Sequence, residues 1–305
     1  MRILIVTSGN HGQVAPFVTE QAEALRRAGC TVVLFEVKGH GMLSYLRNLK
    51  PLKAAIGSFR PDIIHAHYGL CGLLATLQRR VPVVITYHGS DINLPLPRML
   101  SQLAMHRSAH NIFVSRKLYR KANARDHCSS MLPCGVNLDD FPQMEHVEAR
   151  QKLGLRPDIH YVLFAGAFDN SVKNAPLAQA ACQLLDEVEL LELKGYTRPQ
   201  VALLMNACDA LLMTSHSEGS PQVVKEAMAC GLPIVSVDVG DVAEILTHTD
   251  CGDIVAATPS AIAESLRQRL TSPHRTTGRL HITHLGLDNV HIAQQLIAIY
   301  QHVAP

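Results

Sequence analysis

Short β-branched apolar runs alternate with helix-period segments along the whole chain, and no other feature limits the fold so strongly. RILIVTS (2–8), TVVLFEV (31–37), DIIHAH (62–67), VPVVITYHG (81–89), HNIFVSR (110–116) and SSMLPCGVN (129–137) make a first series. HYVLFAG (160–166), VELLELKG (188–195), DALLMTS (209–215), LPIVSVDVG (232–240) and GDIV (252–255) make a second. Helical periodicity falls between them, near 16–28 (closed by Gly29), 45–59, 70–80, 221–230, 260–270 and 288–303. Such runs read as parallel strands buried on both faces and joined by crossover helices. The expected class is therefore α/β, with two Rossmann-like domains facing across a cleft. The length of 305 residues fits two domains at about 100–200 residues each. Residues 1–150 and 151–287 are the expected domains, with a hinge inside 135–157. Residues 288–305 are expected to form a helix that packs back toward the first domain. In such folds ligands gather at the carboxyl ends of the strands, and a cleft between halves is the default site.

Composition narrows the function. The formal net charge is +2, too small to imply a nucleic-acid partner. The eight cysteines are scattered without a C-x-x-C pair, which reads as reduced thiols in a reducing compartment. ILIVT near the start is too short for a signal-peptide core, and no apolar run reaches the roughly 18 residues of a membrane span. The expectation is a cytoplasmic chain, attached at most to the inner face of a membrane.

The most informative stretch is SHSEGSPQVVKEAMACGLPIVSVDVG (215–240). It follows a strand, so Glu218 and Gly219 belong to the loop at that strand's carboxyl end. Ser220 reads as an N-cap and Pro221 as the first helical residue. The free N–H groups of that first turn, with the helix dipole, form an anion site. Gln222 and Glu226, four apart, share a face of the helix, while Val223, Val224, Ala227 and Met228 supply its buried side. On spacing alone, Glu226 reads equally well as a solvated helix residue and Glu218 as an acid favoured by the dipole.

The string E-G-S-P-x4-E-A-M-A-C-G-x-P-I-V resembles the E-x7-E signature of family 4 of the retaining GT-B glycosyltransferases. Three other segments agree in order: VPVVITYHGSD (81–91), FVSRKLYRKA through MLPCGVNLDDF (113–141), and GYTRPQVALLMNACDALLMTS (195–215). The resemblance implies a metal-independent hexosyltransferase that uses a nucleotide-diphosphate sugar as co-substrate, without a further cofactor. It assigns Glu218 to the hydroxyls of the transferred sugar and Glu226 to the ribose hydroxyls. It assigns His88 to the donor sugar, and Gly195 and Tyr196 to the turn that meets the base. Gly9, Asn10 and Gly12 match the first-strand loop near donor and acceptor, and Lys173 takes the place of the donor-phosphate lysine. Gly219, Ser220, Pro221 and Gln222 complete the donor-binding set.

Two departures stand out. Ala167 follows Gly166 where the family carries a phosphate-clamping arginine, which leaves Arg198 as the nearest substitute. The segment between Lys173 and Lys194 lacks one strand-and-helix unit, making this a short member. Other features carry less. His106 and His110 lack the glutamate of a zinc H-E-x-x-H motif, and His65 and His67 share a strand face without a third ligand, so no metal is expected. Arg116, Lys117, Arg120 and Lys121 read as a solvated face or as a surface for anionic lipid. The expected partners are a nucleotide sugar and a glycan or lipid-linked acceptor in surface glycan synthesis. The rivals are a non-catalytic sugar-nucleotide-binding subunit and another GT-B enzyme, such as an epimerase or a phosphorylase.

Overall fold

The computed structural model describes residues 1–10, 12, 14–39, 41–271 and 274–304, with backbone alone at 41–43. The chain forms two compact units, Met1–Gly135 with Asn289–Pro305, and Val136–Asp288.

The first unit runs β1 (Arg2–Ser8), α1 (Pro16–Arg27), β2 (Thr31–Val37), α2 (Gly41–Arg47), α3 (Leu49–Phe59), β3 (Ile63–His67), α4 (Gly69–Thr76), β4 (Val83–Tyr87), α5 (Ser90–Asn93), α6 (Pro95–Met105), β5 (His110–Phe113), α7 (Arg116–Lys121) and β6 (Ser129–Met131). Its sheet is parallel in the order β2-β1-β3-β4-β5-β6. The period-2 alternation of β1 explains the double burial. Leu4 and Val6 join Leu52, Ile64, Leu74 and Ile85 on one face, while Ile3 and Ile5 join Val18, Leu25 and Ile63 on the other.

The second unit runs α8 (His146–Leu153), β7 (His160–Phe164), α9 (Ala175–Cys182), β8 (Val188–Glu192), α10 (Arg198–Ala207), β9 (Ala210–Met213), α11 (Gln222–Ala229), β10 (Ile234–Val237), α12 (Val242–Leu246), β11 (Gly252–Val255), α13 (Pro259–Thr271) and α14 (Gly278–His284). The last helix, α15 (Asn289–Val303), groups with the first unit, where Ile292, Leu296 and Tyr300 complete the core beside Ile3 and Ile5. The second sheet is parallel in the order β11-β10-β9-β7-β8. After β8, α10 carries the chain back past β7 to β9, so only one strand lies on that side of β7.

Several details differ from the sequence reading. The first division falls at Gly135/Val136 rather than 150/151, because α8 packs on α10 of the second unit. The helix expected over 45–59 breaks at Asn48, whose side chain exchanges hydrogen bonds with Lys38 across the preceding turn. The helix expected over 70–80 stops at Thr76, where Gln78 binds the backbone of Arg80 and Val81 in a turn of its own. Helices α5, α6 and α7 were not expected. Pro95 and Pro97 hide the start of α6, and Ser115, read as the end of a strand, caps α7 by accepting from Leu118 N.

Candidate functional site

A doubly wound sheet opens a crevice where successive crossovers leave in opposite directions. In the second unit that point lies between β7 and β9. Four loops at the carboxyl ends of the neighbouring strands β8, β7, β9 and β10 bring the candidate residues of this unit together.

The loop after β7 folds into a single 3₁₀ turn, Ser171–Lys173, capped by the Asn170 side chain. Thr214 donates to the carbonyls of Lys173 and Asn174, and His216 N donates to Val172 O, stapling this turn to the loop after β9. The Lys173 stem crosses Gly166 so closely that a Cβ there would sit 2.6 Å from Cγ. Its ammonium donates to Glu218 Oε1 at 2.6 Å. Glycine at 166 is thus what lets the lysine reach the glutamate.

The Glu218–Pro221 loop has its own support. Gly240, at φ +59°, lies 2.9 Å from Gly219 O and 3.2 Å from Glu218 Cβ, measured from a built Cβ. Behind it Lys225, fully buried, donates to Ser220 Oγ at 3.1 Å. This bond corrects the expected cap: Ser220 is held by the lysine, and α11 begins at Gln222 with Pro221 in the cap position. Asp241 sits beside the same pair. Burial pushes its carboxyl up to about 6, against the pull of Lys225 and Ser220.

Glu226 is 5% exposed, which removes the reading as a solvated helix residue. It accepts from Arg198 Nη1 at 2.6 Å, and that guanidinium lies 4.6 Å over the Phe141 ring. Arg198 therefore serves Glu226 here, while Lys173 serves Glu218. Gly195 turns at φ +79°, and the exposed Tyr196 follows it. Thr197 and Gln200 close the turn with a capping box at the start of α10. At Ala167, where the sequence comparison expects an arginine, the Ala167–Asp169 loop is tied to β8 by Phe168 N to Glu192 and to the segment after β8 by a Lys194–Asp169 ion pair.

In the first unit His88 directly follows β4. Its backbone N–H and that of Gly89, at φ +139°, donate to the buried Asp91 carboxylate. Asn10 exchanges two 2.8 Å bonds with the Gly39 backbone, so its amide latches the β1 loop to the loop after β2. Gly12 has φ +80° and open space around it, so conformation rather than crowding requires glycine. Asn10 also lines a pocket of about 580 Å³ with Tyr45, Tyr68 and Asp91. Tyr68, at φ +72°, is a strained non-glycine residue at the β1/β3 switch point.

Two other features carry no chemistry of this kind. A pocket of about 690 Å³ opens near the amino ends of β7, β9 and β10, but Arg150 and Arg275 there donate to carbonyls at the end of α10. Among the described residues, Asp250, Cys251 and His281 could offer three metal donors, yet both Asp250 oxygens accept from Thr277 at the start of α14. All eight cysteines are free, and no described helix is long and apolar enough to cross a membrane.

Residues 147–280 match the family model described as Glycosyl transferases group 1, and residues 36–140 match that described as Glycosyltransferase Family 4. The teichuronic acid biosynthesis glycosyltransferase TuaC of Bacillus subtilis is 28% identical, over 68% of this chain and 60% of its own. The chain thus spans less than two thirds of that curated relative. Sucrose-phosphate synthase from Thermosynechococcus elongatus shares the fold with a TM-score of 0.86 at 19% identity, over 99% of each chain. HepE from Anabaena, solved in complex with UDP, gives a TM-score of 0.77 at 18% identity, over 99% of this chain and 100% of its own. Two glycosyltransferase family models thus match in order along one chain, and the fold shared over 99% of its length is the GT-B arrangement of two Rossmann-like halves.

Proposed function

We propose that the chain is a retaining, metal-independent hexosyltransferase of family 4 that takes its sugar from a nucleoside-diphosphate donor. The observation that carries this reading is the Lys173 ammonium, 2.6 Å from the Glu218 carboxylate at the switch point of the second sheet. The two charges satisfy each other. A donor diphosphate competes for the ammonium, and Glu218 then accepts hydroxyls of the sugar.

In front-side displacement the bond from the sugar carbon to the phosphate oxygen breaks. The acceptor oxygen bonds to the same face, and its proton passes to the departing phosphate. No separate strong base is required, so the protein's work is positioning and charge stabilisation. Lys173 and the N–H groups at the start of α11 face the leaving diphosphate. Pro221 has no N–H, so Gly219, Ser220 and Gln222 supply the donors beside it. Glu226, oriented by Arg198, accepts the vicinal ribose hydroxyls. The turn at Gly195 and Tyr196 meets the base, and His88, Asn10 and Gly12 serve the transferred sugar and acceptor. HepE has been solved with UDP and with UDP-glucose, so a uridine donor is the first to test.

The acceptor is a glycan or lipid-linked precursor of a surface polymer, and the protein works at the inner face of the membrane. In support, α7 exposes Arg116, Lys117, Arg120 and Lys121, while Leu96, Met99 and Leu103 of α6 and the preceding Leu94 are exposed apolar residues. Lys121 ties α7 to the end of α5, just before Leu94, by donating to Asn93 at 2.9 Å. Co-sedimentation with phosphatidylglycerol vesicles should fall steeply with salt, and no pelleting at low salt removes the membrane contact. For the reaction itself, a panel of nucleotide sugars is assayed for released nucleotide and free or transferred sugar. Transfer or slow hydrolysis of one donor is expected. Binding without turnover, or an epimerised donor, would refute it.

A further inference from the structure

The buried polar groups of the first unit that the transfer reading leaves unused form a continuous line ending at His88. Tyr300 Oη lies 2.6 Å from His65 Nδ1, and His65 Nε2 lies 2.7 Å from Thr86 Oγ1. Gln21 Nε2 spans the next gap, 3.4 Å from His65 Nδ1 and 3.3 Å from His67 Nε2. His67 Nδ1 is 3.0 Å from His88 Nε2, and His88 Nδ1 is 3.7 Å from Cys134 Sγ. The His65 and His67 rings stack at 4.6 Å, those of His67 and His88 at 5.2 Å, and Phe17 packs on His88 at 4.7 Å. His65, His67 and Tyr300 are fully buried, and Gln21 nearly so.

A neutral imidazole has one donor nitrogen and one acceptor, so along such a line each assignment forces the next. Burial pushes His67 down to about 3 and His65 well below its usual value, so both rings stay neutral. The Gln21 NH₂ can only donate, which makes His65 Nδ1 and His67 Nε2 acceptors. His65 then donates from Nε2 to Thr86, and the Tyr300 hydroxyl at 2.6 Å is the main donor to the single lone pair of His65 Nδ1, which the longer Gln21 contact only shares. His67 donates from Nδ1 to His88 Nε2. That leaves the His88 proton on Nδ1, directed at the Cys134 sulfur.

We propose that Gln21 and His67 are positioning residues that hold His88 as its Nδ1–H tautomer, with the Nε2 lone pair turned inward onto His67. Turning the Gln21 amide over would reverse every bond and give the Nε2–H tautomer, and a mixed arrangement would set two lone pairs or two N–H groups against each other. The line therefore has two coherent polarities, and Gln21 selects between them. The benefit to transfer rests on the reading of His88 as a sugar contact: a sugar hydroxyl would compete with the Cys134 sulfur for an N–H and would not meet a lone pair. The tautomer itself does not depend on that reading.

The test uses the full chain labelled with ¹⁵N in its imidazoles, with His88→Asn to assign the resonances. Long-range ¹H–¹⁵N correlation should show His88 protonated at Nδ1, the tautomer that free imidazole in water disfavours. Gln21→Met keeps the side-chain length but removes the donor, and should move His88 toward the Nε2–H form. An Nε2–H or averaged His88 in the wild type overturns the proposal, as does a Gln21→Met spectrum with His88 unchanged. The wild-type spectrum alone tests the polarity, whatever the stability of the variant. Calorimetry of UDP binding on the same sample reports the transferase reading separately.

Discussion

The two units hold their candidate residues by opposite means. The first unit fixes His88 through neutral groups: imidazoles, a carboxamide, a hydroxyl and a thiol, most of them fully buried. The second fixes Glu218 and Glu226 through the ion pairs with Lys173 and Arg198, and backs the Glu218 loop with a buried lysine and aspartate. The difference fits the proposed transfer. A neutral line holds one orientation and gains nothing from an anionic ligand. An ion pair can exchange partners, so a diphosphate can draw Lys173 from Glu218 at little net cost.

The sharpest way to break this comparison is Lys173→Ala. The side chain is partly exposed in the loop after β7, so a thermal melt should change little. Turnover should fall at least about 100-fold, corresponding to roughly 2.7 kcal/mol of transition-state stabilisation. A folded variant with near wild-type turnover would remove the exchange of partners, and with it the contrast between the units.

A smaller effect separates the buried charges from the neutral line by pH. Burial raises the Asp241 carboxyl in the folded chain to about 6, from an ordinary 3.8. The folded state therefore binds the extra proton, so the stabilisation is present at low pH and is lost as pH rises through 6. Relative to Asp241→Asn, the wild type should lose about 2 kcal/mol between pH 4.5 and 7. Denaturant melts across that range would show it, and parallel curves for the two proteins would mean that Asp241 titrates normally.

The smallest expected effect is Glu226→Gln, which keeps the shape but drops the charge. Calorimetry should show nucleoside diphosphate binding about 10-fold weaker, near 1.4 kcal/mol, with a smaller loss in turnover once the donor is saturating. Equal affinity would take Glu226 out of the nucleotide site and reduce it to a partner of Arg198.

The strands were legible because their apolar runs are short, β-branched and bounded by turn residues; β1, β2 and β3 fall within a residue of expectation. The second-unit loops were legible because they follow such strands. Other details have no local signature. Lys225 and Ser220 look like a solvated lysine and a capping serine until the fold buries one against the other. Gln21 reads as an ordinary helix residue, since nothing in α1 announces two histidines beneath it. The Tyr300–His65 bond joins residues 235 positions apart. Side-chain partners at such separations come from topology, which a linear pattern does not carry.

The placement of α15 also sets the order in which the molecule can be made. Strands β1 to β6 leave the ribosome first, but Ile292, Leu296 and Tyr300, which cover Ile3 and Ile5, come from the last helix. At about 5–20 residues per second, the stretch from 136 to 303 takes roughly ten to thirty seconds to synthesise. Throughout that time the first unit shows an uncovered apolar sheet face and a His65 without its tyrosine, and the second unit has all of its chain before α15 is begun. The half translated first is thus the half that finishes folding last, and it is the one a nascent-chain chaperone would have reason to hold.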